Sequence, residues 1–382
     1  RHLYKNIPGN KLVFEEINRD LGLTFRSAWR TGDRFGFVRS SWLRNDGDAD
    51  CQIELLDGLQ NLLPNGATAQ LQTNLSNLLT AYKRNEVDAE TGLGIFTLSA
   101  TISDRAEPSE SLKATVAWQV GLDVDVHLLG TTQMDGFRNG RLPTPENDIC
   151  GQSGSYLITT AFTLPAGTEK NWHIAADVNQ TATTVARLTR FLRQDAATIT
   201  QEIEADIDQN TANLIRYVAA ADGLQNSAAK TTSAHHFANV LFNIMRGGIF
   251  ANGYQIERRD LIAFMRVRNH VALDKHANWF AALPAQIAMR DLYAQAAATD
   301  DADLIRLCYE YLPLTFSRRH GDPSRPWNRF SINLKNDIDD SPRLDYQGNW
   351  RDIFQNWEPM ALSYPDYAEG IIAKFLNATT AD

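Results

Sequence analysis

The chain has 382 residues, of which 43% are hydrophobic and 22% charged, and a formal net charge of −9. That length buries a sizeable core without staples and divides into two or three units at about 150 residues each. The acidic balance argues against a nucleic-acid backbone as partner, which needs a basic footprint, and no run of 18 or more apolar residues is present to span a membrane.

Residues 1–180 read as β. Leu21, Leu23 and Phe25 alternate with polar neighbours. So do Phe96, Leu98, Ala100 and Ile102, and again Val116, Trp118 and Val120. Period-two alternation marks strands with one buried face. Further strand-like runs cover 34–43, 52–56, 156–162 and 172–178, separated by turn-rich joints such as Asn45-Asp46-Gly47-Asp48 and Pro165-Ala166-Gly167. The expected architecture is an antiparallel β-sandwich. One inserted helix is expected where Leu71, Leu75, Leu78, Leu79 and Tyr82 keep helical spacing.

The pattern changes near 180. Ile199, Ile203, Ile207, Leu214 and Val218 form a stripe at steps near four, which predicts one long amphipathic helix. Glu202, Glu204, Asp206 and Asp208 read as its solvated face. Residues 181–230 are therefore assigned to a helical linker, and 231–382 to a helical domain. In that domain, stripes run through Phe237–Met245, Ile287–Ala296, Leu304–Leu312 and Tyr367–Leu376.

Some chemistries lack support. Asp123, Asp125 and His127 alternate, as three ligands on one strand face would, but no fourth ligand is near, and no metal is expected. The adjacent pair His235-His236 diverges on a helix. Gly247, Gly248 and Gly253 match neither a dinucleotide fingerprint nor a phosphate-binding loop. There is no G-x-S-x-G elbow. Arg318-Arg319-His320 reads as a surface loop. Cys51, Cys150 and Cys308 are widely spaced and odd in number, which points to reduced thiols and a cytoplasmic protein.

The densest chemistry lies in Trp350-Arg351-Asp352-Ile353-Phe354-Gln355-Asn356-Trp357-Glu358, with Arg325-Pro326-Trp327-Asn328-Arg329-Phe330 upstream. Aromatic planes beside carboxylates, amides and guanidinium suit a sugar, which offers C–H faces for stacking and hydroxyls for hydrogen bonding. Asp337, Asp345, Asp352 and Glu358 supply carboxyl groups of the kind glycoside cleavage uses. If the stretch is helical, Asp352 and Gln355 share a face at i, i+3. A bland reading stands beside this one: the two tryptophans are core side chains at a helix entrance.

The order of sandwich, helical linker and helical domain resembles the cellobiose-phosphorylase-like glycoside phosphorylases. So does Trp327-Asn328 followed by Trp350-Arg351-Asp352-Ile353-Phe354-Gln355. In that family a Trp-Asn element precedes a Phe-Arg-Asp-x-x-Gln-Asp element. The resemblance implies that the helical part begins an (α/α)6 barrel and that Arg351 and Asp352 bind sugar. Gln355, Trp327, Asn328, Trp350 and Trp357 join them as substrate-binding candidates. Asn356 stands where the family has its second Asp, which weakens that carboxylate's role here. The family's catalytic Asp lies more than a hundred residues beyond the Arg-Asp element. The chain is therefore expected to be a fragment whose general acid lies past residue 382, with Glu358 a weak stand-in.

The implied function is that of a glycoside phosphorylase or hydrolase acting on β-glucan-type oligosaccharides. It needs no cofactor, with inorganic phosphate as co-substrate in the phosphorolytic case. The expected partners are the oligosaccharide, the remainder of its own polypeptide and, as an oligomer, a second copy in a homodimer; no nucleic acid or membrane is expected. The alternative is a non-catalytic carbohydrate-binding or interaction protein on the same scaffold.

Overall fold

The structure is a computed structural model that describes residues 1–102, 110–225, 227–250, 252–315, 319–320, 331–332 and 350–377. The chain forms two compact units, Arg1–Ala212 and Asn213–Asp382. A large antiparallel sheet comes first and helices follow.

The first unit opens with β1 (His2–Lys5), β2 (Leu12–Asn18), β3 (Leu23–Gly32), β4 (Gly36–Asn45) and β5 (Cys51–Leu62). Next come α1 (Ala69–Asn74), α2 (Ser76–Ala81), β6 (Lys83–Val87), β7 (Gly94–Leu98), β8 (Lys113–Val120) and β9 (Val126–Leu128). It continues with α3 (Met134–Arg138), β10 (Asp148–Cys150), β11 (Gly154–Leu164), β12 (Glu169–Thr181), α4 (Ala182–Phe191) and α5 (Ala196–Ala219). Nine strands pair in the order β1-β2-β3-β4-β12-β8-β7-β6-β10, and a second sheet runs β5-β11-β9. The single expected helix is split, because Leu75 leaves helical geometry at φ −135°, ψ 38°.

One core draws Leu43, Phe96, Ala117, Trp172 and Ile174 from the large sheet and Ile53, Leu59, Tyr156 and Ile158 from the small one. A second core, on the other face, packs Val38, Val116, Trp118 and Ala175 against Phe191 of α4 and Ile199, Ile203 and Ile207 of α5. Strand β8 is buried on both faces, and it reads accordingly: large residues at 116, 118 and 120, small Thr115 and Ala117 between them.

Helix α4 and the first part of α5 thus pack on the sheet, and the division between units falls at 212/213, inside α5. The stretch assigned to a separate linker from 181 is shared between the two units.

The acidic run of α5 is solvated only in part: Asp208 is exposed, but Glu202, Glu204 and Asp206 have partners. Arg30 donates from both terminal nitrogens to Glu204, at 2.6 and 2.5 Å. The backbone N–H groups of Arg34 and Phe35 donate to Asp206 at 3.1 and 3.2 Å, and Arg34 pairs with Glu202. The cause is local: Arg30 is buried in β3, and a buried guanidinium needs a partner. The same guanidinium donates to Ser40 Oγ, which lies 2.8 Å from His173 Nδ1. Burial pushes the His173 imidazole down to about 4. On the other face Asp57 accepts from Arg39 and, at 2.7 Å, from the Trp172 indole N–H, which ties the two sheets together.

The second unit contains α6 (Lys230–Gly247), β13 (Ile249–Phe250), β14 (Gln255–Glu257), α7 (Arg258–Arg268), α8 (His270–Lys275) and α9 (Ala277–Ala282). These are followed by β15 (Gln286–Ala288), α10 (Met289–Ala297), α11 (Ala302–Glu310), β16 (Leu314–Thr315), α12 (Trp350–Ser363) and α13 (Ala368–Asn377). Ile287, expected in a helix, sits in β15 opposite Ile256 of β14. Asp301 starts α11 by accepting from Leu304 N at 3.0 Å, and it also accepts from Lys275 at 2.5 Å. The Lys275 ammonium holds its carboxyl well below the usual carboxylate range. The core of this unit centres on Phe250, Leu261, Phe264, Leu292, Leu304, Tyr311, Trp357 and Tyr367.

Candidate functional site

The stretch that carries Arg351 and Asp352 is helical: α12 begins at Trp350 and runs through Pro359 to Ser363. Pro359 lacks an N–H, so the carbonyl of Gln355 receives no helical bond from it. Positions 352 and 355 are separated by i, i+3 on this helix. Gln355 and Glu358 are exposed on the flank away from the core. The side chains of Trp350, Arg351, Asp352 and Asn356 lie outside the described residues, as do Trp327, Asn328, Asp337 and Asp345 altogether.

The opposite flank of α12 is core. Trp357 and Met360, at i, i+3, are buried at 3% and 8% exposure. The Trp357 ring lies 5.6 Å from that of Phe375 on α13. Trp357 was expected among the stacking platforms, but its indole is taken up by packing. A face enclosed by protein offers no surface to a sugar.

A cluster of aromatic rings fixes the turn that follows α12. Tyr364 meets Phe250 edge-on at 5.3 Å and Tyr254 at 5.5 Å, and its hydroxyl donates to Ala220 O at 2.7 Å. Tyr367, in the single 3-10 turn between α12 and α13, stacks on Phe250 at 4.1 Å and donates to Gly253 O at 3.1 Å. Burial raises the phenols of Tyr364 and Tyr367 above their ordinary value, so both stay protonated donors. Phe250 and Tyr254 thus anchor the turn that follows α12, and Phe250 shares a core with Trp357 and Met360. A slot of about 60 Å³ between α6 and α12, lined by Val240, Ile244, Phe250 and Met360, is apolar and too small for a sugar.

The remaining sequence candidates separate. Only His127 of the trio Asp123, Asp125, His127 lies in a strand, β9, and burial lowers its pKa. Asp125 accepts from Ala161 N at 3.0 Å. Among the described residues no group of three His, Cys, Asp or Glu side chains is placed to hold a metal. His236 Nε2 lies 3.0 Å from Asp222 O. Arg319–His320 pairs as a short strand with Ser331–Ile332. Cys51, Cys150 and Cys308 are free thiols. Among the described residues no helix is long and apolar enough to cross a membrane.

Residues 250–313 match the family model described as glycoside hydrolase family 149 insertion domain 1. Residues of that segment share a core with Trp357 and Met360 of α12. Among solved structures the chain is similar to one described as "Putative kojibiose phosphorylase from human microbiome", at 12% identity and a TM-score of 0.30. That likeness covers 79% of this chain, which spans only 36% of the other. Comparison with curated proteins finds no match.

Proposed function

We propose that this chain is part of a glycoside phosphorylase or hydrolase acting on β-glucan-type oligosaccharides, and that α12 contributes to its sugar site. The observation that carries the reading is a coincidence of two signals in one place. The segment matching a glycoside hydrolase insertion domain, 250–313, shares a core with the helix that bears Trp350-Arg351-Asp352 and Gln355. In this reading the two sheets with their common core are the layers of a β-sandwich, and the helices from residue 230 open an (α/α)6 barrel. A specificity like that of cellobiose phosphorylases rests on the Trp-Arg-Asp-x-x-Gln element alone.

The chemistry assigned to these residues is recognition. Asp352 accepts hydrogen bonds from sugar hydroxyls, Arg351 donates to a further oxygen, and Gln355 does either. Trp350 and Trp327 offer apolar faces, and Asn328 adds an amide. Charge-assisted bonds of this type contribute about 1.5–3 kcal/mol each. The general acid is supplied from elsewhere in the polypeptide, and inorganic phosphate serves as nucleophile in phosphorolysis. The free thiols fit a cytoplasmic setting.

The test is to incubate the polypeptide carrying this chain with β-linked gluco-oligosaccharides, with and without phosphate. Phosphate-dependent release of sugar 1-phosphate supports phosphorolysis, and phosphate-independent release of reducing ends supports hydrolysis. Absence of both products across the series, with saccharide binding retained, transfers the reading to a non-catalytic carbohydrate-binding protein. Asn356, at the place of the family's second Asp, motivates that alternative.

A further inference from the structure

A second site stands in the first unit, apart from α12. A cleft of about 300 Å³ opens between the large sheet and α4, lined by Arg34, Trp118, Asp177, Gln180, Thr184 and Arg187 over a floor of Phe35 and Phe191. That volume is at the lower end of small-molecule sites. We propose that this cleft binds a neutral polyhydroxylated ligand of about monosaccharide size, held by Asp177, Gln180, Thr184 and Arg187.

The cleft is built by specific departures from regular structure. The register of β12 against β8 shifts between Asp177 and Gln180, and Asn179 adopts φ 63°. Bulges of this kind re-aim side chains and recur beside functional sites. At the start of β4, Gly36 has φ 67°, and a Cβ there would come within 2.7 Å of Ala176 O and 2.8 Å of Asp177 Oδ1. The glycine therefore leaves room for the Asp177 carboxyl. On α4, Thr184, Arg187, Leu188 and Phe191 recur at steps of three and four, so one flank of the helix faces the cleft.

The chemistry of the lining selects the ligand class. Asp177 accepts from Val178 N at 2.8 Å and Gln180 Nε2 at 2.7 Å, both local donors. Partial burial raises its pKa, and no cation is among the influences on it. Arg34 lies 4.7 Å over Phe35 and 4.9 Å over Phe191 and pairs with Glu202, which neutralises it. Gln180 Nε2 is engaged by Asp177 and Val178 O, and the Thr184 hydroxyl by Thr181 O, so the exposed Arg187 guanidinium is the donor while Asp177, Gln180 Oε1 and Thr184 Oγ1 are acceptors, a set that matches the hydroxyls of a sugar or polyol. A strongly anionic ligand would face Asp177, and a cationic one would face Arg187.

The proposal does not depend on the reading of α12, and one experiment separates the two. Hydrogen exchange of the full chain is followed with D-glucose and with cellobiose as probes. Protection of the peptides covering 177–191 is expected. It should require about tenfold more probe in Asp177→Ala and in Arg187→Ala, the loss of one charge-assisted bond. Arg187 is exposed, so its variant leaves the fold intact even where that of Asp177 does not. Protection confined to 350–363 overturns this inference and leaves the proposed function standing. Protection confined to 177–191 does the reverse. No protection there, or protection unchanged in both variants, overturns the cleft as a saccharide site.

Discussion

Acid should loosen the first unit through His173. The imidazole is 6% exposed and sits between Ser40 Oγ at 2.8 Å and Glu204 Oε1 at 3.8 Å, beside the buried Arg30. Burial is the largest influence on it, with Glu204 raising its pKa and Arg30 lowering it, and the result is a value of about 4 against an ordinary 6.5. The folded state therefore keeps His173 neutral, whereas the unfolded chain takes up a proton below pH 6.5. Stability is fully present above that value, falls as pH drops from 6.5 towards 4, and levels off below it. The total is about 3 kcal/mol, of which about 2 is lost between pH 7 and pH 5. Glu204, which Arg30 holds below its ordinary value, adds a loss of the same sign at lower pH. Urea unfolding at a series of pH values, read by pulsed hydrogen exchange of peptides covering β4 and β12, isolates this unit from the helical one. His173→Gln removes the titrating group and should flatten the slope between pH 6.5 and 4.5, whatever its effect at pH 7. An identical slope in the wild type and His173→Gln would refute the reasoning.

Other substitutions probe separate links. Asp57→Ala leaves Arg39, 12% exposed, without its carboxylate and the Trp172 indole without its acceptor, and should cost about 3–5 kcal/mol in the same urea assay. Gly36→Ala places a methyl group against Ala176 O at a positive φ, and should destabilise by more than about 1 kcal/mol, where Gly167→Ala, with nothing within 4 Å, costs only its backbone strain. Tyr367→Phe deletes one bond to Gly253 O and should lower stability of the helical unit by about 1 kcal/mol, seen in a thermal melt.

The strands that sequence made legible are those with an alternating pattern, such as β7 with its one buried face and β8 with large residues alternating with smaller ones. Strand β1 went unread because all four of its residues are exposed and carry no period. Helix α7 holds Leu261, Phe264 and Met265 at helical spacing, but its four arginines dilute the signal. The acidic flank of α5 shows how far periodicity reaches. It identifies the buried stripe correctly, yet nothing local reveals that Arg30 and Arg34, about 170 residues earlier, supply partners for the other flank. On α12 composition could not distinguish a stacking tryptophan from a packed one. The structure assigns Trp357 to packing through its position three residues before Met360 on the inner flank. The cleft at Asp177 was invisible because a bulge, not a motif, creates it.

The central claim is that the Arg351-Asp352 element recognises a sugar, and Asp352→Asn tests it most directly. The substitution keeps the shape and replaces an acceptor oxygen by a donor. Calorimetric titration with cellobiose and a thermal melt are run on the same sample of the polypeptide carrying this chain. The account predicts affinity weakened about ten- to a hundredfold, at about 1.4 kcal/mol per decade, with little change in melting temperature. A large fall in melting temperature with unchanged affinity would contradict it, because Asp352 would then be a structural partner of the helix and not a ligand of the sugar.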